Sequence, residues 1–176
     1  TLHATASMTR MGRTNLIVDF VVDSICEATF RSALLAESFF RGRVKSSRNH
    51  AVGVVGLWRG TNKVSATDSM WYQYTNSCRP RLLARAEDEQ FIIVVVGFHN
   101  DADLTPDELC PAIGTFLERL RAEGAFVCVA TIIQGSTGPS QVPGGYADVW
   151  REQKNDFIRT LLTSYGARPW GVCADL

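Results

Sequence analysis

The chain has 176 residues, the usual length of one compact domain, and 45% of them are hydrophobic while 20% are charged, a composition typical of globular proteins. Its 18 Lys and Arg residues balance its 18 Asp and Glu residues, so no excess of cations is present to bind nucleic acid or an anionic membrane surface. No apolar run approaches the roughly 20 residues needed to cross a bilayer, and we expect no transmembrane segment.

The two ends of the chain and its cysteines add little that is specific. Residues 1–14 contain no apolar targeting signal, so we expect an N-terminal tail followed by a single domain over residues 15–176. No compartment or oligomeric state is predicted. The five cysteines include no C-x-x-C pair, which argues against a zinc site or a thioredoxin-like redox motif. We predict mostly free thiols, with Cys128 and Cys173 as small buried hydrophobic residues.

Short β-branched runs alternate with longer amphipathic stretches, a pattern typical of repeated βαβ units. The apolar runs predict strands at 15–22, 50–55, 91–96, 125–133 and 170–174, and the amphipathic stretches predict helices at 28–40, 79–88, 105–123 and 147–165. The continuous apolar run at 91–96 indicates a central strand covered on both faces. The prediction is therefore a three-layer α/β/α sandwich with a five-stranded parallel sheet and right-handed crossovers.

Two connecting stretches carry further signals. Thr105, Pro106 and Glu108 have the spacing of an N-cap, a first helical position and a capping box. Residues 57–77 are rich in Trp and Tyr and predict a long loop or short helices. Their aromatic side chains either line a binding site or cover an edge of the sheet.

Polar residues follow the first three predicted strands, at the edge where parallel α/β sheets bind ligands. Ser24 lies between a strand and a helix, where a hydroxyl can project into the crevice, although serine there is commonly only an N-cap. Gly56 either lets the backbone approach a substrate and donate its N–H, or is simply a turn residue. Asn100 either donates its amide to the same oxyanion, or is a turn former.

Three short blocks connect these positions in order. Residues 22–25 (Val-Asp-Ser-Ile) resemble the Gly-Asp-Ser-Ile/Leu block of the SGNH (GDSL-type) hydrolases. Residues 49–56 resemble the second block of that family, which contributes a glycine N–H, and residues 97–101 resemble its Gly-x-Asn-Asp block. Residues 146–159 resemble the family's last helix, in which an Asn near Asn155 is usual. The resemblance covers nearly the whole chain and implies a flavodoxin-like SGNH-hydrolase topology.

The resemblance also implies an activity. The chain would be a serine ester hydrolase of esterase, lipase or acetylesterase type, acting on a small-molecule ester through an acyl-enzyme. Ser24 would be the nucleophile, and the Ser24 N–H, the Gly56 N–H and the Asn100 side chain would form the oxyanion hole. No cofactor is expected, and no cluster of His, Asp or Glu has the spacing of metal ligands.

The chain departs from the family pattern at three points. Val22 stands where the first block has glycine, and the third block has one residue more than Gly-x-Asn. The family's general base is a His in an Asp-x-x-His block, and the chain ends at Leu176 without one. His99 is the candidate substitute base, whereas His50 is predicted at the amino end of the second strand and His3 in the tail. The alternatives are a catalytically impaired binding module and a truncated fragment that lacks the catalytic His.

Other protein classes share the predicted topology, including flavodoxin-like nucleotide-binding proteins and response regulators. The chain contains neither G-x-G-x-x-G nor G-x-x-x-x-G-K-[ST]. Residues 97–99 occupy the end of the third strand, where a response regulator needs its phospho-acceptor Asp. Both classes are therefore disfavoured.

Overall fold

The computed structural model describes residues 15–22, 43–50, 56–57, 69–101, 103–132, 146–164 and 171–174. These residues form a five-stranded parallel sheet with the strand order β2-β1-β3-β4-β5. Its strands are β1 (Leu16–Val22), β2 (Val44–Asn49), β3 (Gln90–Val96), β4 (Phe126–Ala130) and β5 (Gly171–Ala174). This is the flavodoxin-like order, and the predicted α/β fold with five parallel strands is confirmed.

The central strands are buried on both faces of the sheet. All seven residues of β1 are buried. Because successive side chains alternate between faces, Ile17 and Val21 pack in a large cluster with the described helices, while Leu16 and Val18 pack in a smaller cluster on the opposite face. The predicted helix at 28–40 lies outside the described residues. The apolar residues of β1 and β3 thus supply hydrophobic side chains to both faces of the sheet, with Asp19 as a buried charged residue within β1.

The described helices contribute to the larger cluster. A helical segment before β3 consists of α1 (Met70–Gln73), a π-helical turn (Tyr74–Cys78) and α2 (Arg79–Leu83), and it is followed along the chain by α3 (Pro106–Ala122) and α4 (Tyr146–Thr163). The predicted capping box begins α3, where the Thr105 backbone N–H donates to the Glu108 carboxylate at 2.8 Å.

The prediction of a second strand at 50–55 is wrong at its start, since β2 occupies the polar stretch Val44–Asn49 instead. β2 is an edge strand that pairs only with β1, and its side chains are half-buried or exposed. An edge strand needs no apolar run on both faces, so hydrophobic patterning does not reveal it. Residues 51–55 lie outside the described residues.

The helix predicted at 79–88 begins earlier, at Met70, and ends at Leu83. The Ser69 side chain accepts a hydrogen bond from the Tyr72 N–H at 3.2 Å and caps the first turn. Of the two structures expected for residues 57–77, short helices are therefore correct for the part after Ser69.

Candidate active site

The carboxyl edge of β3 leads directly into the third block. β3 ends at Val96, Gly97 follows, and residues His99–Asp101 form a single 3₁₀ turn. Phe98 joins strand and turn with a φ of 67°, a left-handed conformation that non-glycine residues adopt at a cost of about 1–2 kcal/mol. Its ring is fully buried, which offsets that strain by anchoring the loop in the core.

The second block meets the third at Gly56. The Asp101 carboxylate accepts a hydrogen bond from the Leu57 N–H at 2.6 Å, and a Cβ built on Gly56 would lie 2.2 Å from Asp101 Oδ1. Gly56 and Leu57 also accept hydrogen bonds from the N–H groups of Met70 and Trp71, at 3.0 and 3.1 Å, at the start of α1. The room at Gly56 is therefore limited by the close approach between the Gly56–Leu57 turn and the His99–Asp101 turn.

His99 and Asn100 lie in the same 3₁₀ turn as Asp101, and both are half-buried. The structure thus brings the predicted residues Gly56, His99 and Asn100 to one edge of the sheet, with Asp101 as the direct contact between the two loops. Ser24, the predicted nucleophile, lies outside the described residues, as does the helix predicted to follow it.

Two adjacent residues of α4 contact the loops at this edge of the sheet. Asn155 is buried and pairs with the backbone of Ile132 just after β4, accepting from its N–H at 2.7 Å and donating to its carbonyl at 3.1 Å. Lys154 is also buried, and its ammonium group donates to the Asp101 carbonyl at 3.4 Å. Burial lowers the pKa of the Lys154 side chain, while Cys110 and the carboxylates of neighbouring acidic residues oppose that shift.

Comparison with known proteins identifies the architecture. No protein-family model and no curated protein sequence matches the chain. The structure is similar to that of the acetyl xylan esterase AlAXEase, with a TM-score of 0.62 and 13% identity over 91% of this chain and 77% of that one. It is also similar to a candidate SGNH hydrolase from Slackia heliotrinireducens, with a TM-score of 0.52 and 15% identity over 92% of this chain and 78% of that one.

The chain has the fold of the SGNH hydrolases. This confirms the resemblance that the three blocks indicate at the level of fold. No described helix is long and apolar enough to cross a membrane.

One histidine of this SGNH fold is placed differently from the prediction. Because β2 spans Val44–Asn49, His50 follows the carboxyl end of its strand instead of starting it. Its Nε2 lies 2.9 Å from Asp19 Oδ2 in the middle of β1. Asp19 lies three residues before the end of β1, or about 10 Å of extended chain, so this pair lies away from the loop that follows β1.

Asp19 is the centre of a buried polar cluster in the SGNH fold. Its carboxylate is fully buried and also pairs with the Arg81 guanidinium, which in turn donates to the Ser46 hydroxyl at 2.9 Å. Burial and the nearby Asp19 carboxylate raise the pKa of the Cys78 thiol. The cluster therefore connects β1, β2 and the helical segment by charge and hydrogen bonds.

Two of the aromatic residues of the segment before β3 pack against the core. The rings of Trp71 and Tyr74 lie 5.5 and 5.9 Å from that of Phe116 in α3, and the Tyr74 hydroxyl donates to Glu123 at 2.6 Å. Trp71 and Tyr74 therefore have a packing role against α3, whereas Tyr72 is exposed. Trp58 lies outside the described residues.

The cysteines that the structure describes lie outside any disulfide: Cys78, Cys110, Cys128 and Cys173. Cys128 and Cys173 are half-buried and pack against the two hydrophobic clusters, whereas Cys26 lies outside the described residues. Among those residues, no group of three or more His, Cys, Asp or Glu side chains is arranged to hold a metal ion.

Sequence reasoning missed the roles of Asp101 and Lys154. Asp101 belongs to the third block, but its contact with Leu57 depends on tertiary structure. Lys154 carried a readable signal, because its spacing from Trp150, Ile158 and Leu161 places it on the apolar stripe of α4. A charged residue on such a stripe must be paired, or extend to solvent.

Proposed function

We propose that the chain is a serine ester hydrolase of the SGNH type that acts on small acyl or acetyl esters through an acyl-enzyme at Ser24. The observation that carries this proposal is the meeting of the Gly56 turn and the His99–Asp101 turn at the carboxyl edge of the sheet, through the 2.6 Å bond from the Leu57 N–H to Asp101. The fold shared with an acetyl xylan esterase supports an acetyl ester as the first substrate to test.

The proposed reaction has two steps. The Ser24 hydroxyl attacks the ester carbonyl, His99 accepts the hydroxyl proton, and the carbonyl oxygen becomes an oxyanion. The Ser24 and Gly56 N–H groups and the Asn100 amide donate to that oxyanion. The intermediate then expels the alcohol, which takes the proton from His99, and water cleaves the acyl-enzyme by the same route to release the acid and regenerate Ser24.

Hydrolysis of p-nitrophenyl acetate tests the roles of these residues. We expect turnover by the parent chain and loss of turnover in Ser24→Ala. Ser77→Ala should retain the parental turnover, because Ser77 is an exposed serine that serves as the matched control. Asn100→Ala should lower kcat by about 10²-fold, the usual effect of removing one oxyanion donor. His99→Ala should lower it by about 10²-fold or more, as for loss of a general base.

Each outcome assigns a role. Turnover that persists in Ser24→Ala contradicts the nucleophile, and full activity in His99→Ala contradicts the base while leaving the nucleophile in place. A folded parent without turnover contradicts the proposed function and favours a non-catalytic binding module.

A further inference from the structure

The buried ammonium group of Lys154 carries a desolvation cost that the packing of α4 does not require. Lys154 lies on the apolar stripe of α4 and is 1% exposed, and burial of a charged group carries a large desolvation cost. An apolar residue would pack against α3 without that cost. The contacts of the ammonium group therefore indicate its role.

Lys154 holds the backbone of the third block. Its ammonium group donates to the Asp101 carbonyl at 3.4 Å, and the same carbonyl accepts from the Leu104 N–H at 3.1 Å. The Asp101 N–H donates to the Phe98 carbonyl at 3.1 Å. The backbone N–H and the backbone carbonyl of Asp101 are thus both hydrogen-bonded, and Asp101 is the last residue of the turn that carries His99 and Asn100.

The side chain of Asp101 transmits this position to the second block. Its carboxylate is 1% exposed and binds the Leu57 N–H, while Gly56 lies against the same oxygens. The positive charge of Lys154 also lies close enough to interact with this carboxylate. A continuous series of contacts therefore runs from α4, through Asp101, to the Gly56–Leu57 turn.

We propose that Lys154 and Asp101 are positioning residues that fix the Gly56 turn and the His99–Asp101 turn relative to each other. The Gly56 N–H and the Asn100 amide are then already in position to donate to an oxyanion before the reaction. The inference rests on the proposed function for its catalytic consequence. Neither residue reacts with the substrate. Both act through Gly56 and Asn100, because oxyanion donors are effective only when their geometry is fixed before the reaction.

Lys154→Met removes the charge and keeps a side chain of similar length. Because this leaves the buried Asp101 carboxylate without a nearby positive charge, we expect a lower melting temperature, and kcat is therefore compared at a temperature at which both proteins are fully folded. There we expect kcat to be lowered by about ten- to a hundredfold, as for a small misplacement of catalytic groups, with KM unchanged. Lys45→Met is the matched control, because Lys45 is exposed on β2 and pairs with Glu89 away from this edge.

Two variants of Asp101 test the carboxylate. Asp101→Asn keeps an oxygen that can accept from the Leu57 N–H, so it should retain much of kcat, whereas Asp101→Ala should lose at least as much as Lys154→Met. The double variant Lys154→Met/Asp101→Ala should lose less than the product of the two single losses, since residues that act through connected contacts are not additive.

Amide hydrogen exchange measures the coupling without relying on activity. In Lys154→Met and Asp101→Ala, exchange of the Leu57 N–H should accelerate by about tenfold, the effect of weakening one buried hydrogen bond. The Ile132 N–H is the internal control, because it is held by Asn155, the residue next to Lys154 on α4. Its exchange should stay at the parental rate.

The outcomes are distinguishable from failure of the proposed function. Parental kcat in Lys154→Met, or a lowered kcat with unchanged Leu57 exchange, overturns the positioning role. If the parent hydrolyses no ester, the proposed function fails, and Leu57 exchange alone then decides whether Lys154 holds the Gly56 turn.

Discussion

At the scale of single residues, Gly56 and Asp101 lie so close together that a side chain on residue 56 would collide with the carboxylate. A Cβ on Gly56 would lie 2.2 Å from one carboxylate oxygen and 2.6 Å from the other. Any larger residue must displace Asp101, and with it the bond to the Leu57 N–H. The glycine thus lets two loops approach, which is a stronger constraint than a simple turn imposes.

Cys128 makes a prediction about stability in alkali. Burial raises the pKa of its thiol from an ordinary value of 9.0 to about 11. Between those values the unfolded chain releases the thiol proton and the folded chain keeps it, so stability is full below pH 9 and falls as the pH rises. The contribution lost by pH 11 is about 2 kcal/mol. Urea unfolding of the parent and of Cys128→Ala across this range should show a shallower decline in the variant.

Equal declines in the two proteins would contradict this assignment. Burial and hydrogen bonding also raise the pKa values of Cys78 and Tyr74. The parent and Cys128→Ala share these groups, so the difference between the two curves isolates Cys128.

At the scale of elements, Asp19 connects β1 to its neighbours by charge. The carboxylate is fully buried between His50, which follows β2, and Arg81 of α2. Asp19→Asn would leave the Arg81 guanidinium without its counter-charge. We therefore expect the free energy of unfolding to fall by about 3 kcal/mol, as when one partner of a buried ion pair is removed.

The control for Asp19 is the same substitution at a surface pair. Asp156 is exposed on α4 and pairs with Arg159 at 2.8 Å, so Asp156→Asn should cost less than about 1 kcal/mol. Urea denaturation of both variants measures the difference. Similar losses in the two would show that the Asp19 cluster does not stabilise the sheet.

An element could be predicted where a local sequence pattern specifies it. The apolar runs of β1 and β3 and the capping box of α3 are local signals, and the structure confirms them with small changes at the ends. The hydrophobic pattern misplaces β2, because a half-exposed edge strand needs no apolar run. The pattern also does not predict the first helical turns of the segment before β3, because Ser69 caps a helix inside a stretch that resembles a polar loop.

The candidate site was partly predictable for the same reason. His99 and Asn100 could be selected from their positions after β3, because parallel strands present their carboxyl ends at one edge. Gly56 was selected as the end of a strand predicted at 50–55, whereas β2 ends at Asn49. The contacts of Asp101 with Leu57 and Lys154 join residues far apart in the chain. Such contacts follow from tertiary packing, which no local pattern specifies.

At the scale of the whole molecule, the sheet order brings two of the three blocks together and places the start of the first beside them. β1 and β3 are hydrogen-bonded neighbours at the centre of the sheet, with Val22, the first residue of the first block, beside Val96 at their ends. The His99–Asp101 turn follows β3. Gly56 and Leu57 meet that turn through Asp101, so the second and third blocks are in direct contact, and a site that also includes Ser24 remains our proposal.

Covalent labelling with an alkylphosphonate ester probe tests the central claim most directly, because such probes react with an activated serine and form a stable adduct. Peptide mass spectrometry of the folded parent should find the adduct on Ser24. Labelling should be lost in Ser24→Ala and retained in Ser77→Ala. A folded parent that remains unlabelled, or an adduct that persists when Ser24 is replaced, would contradict a serine hydrolase acting through Ser24.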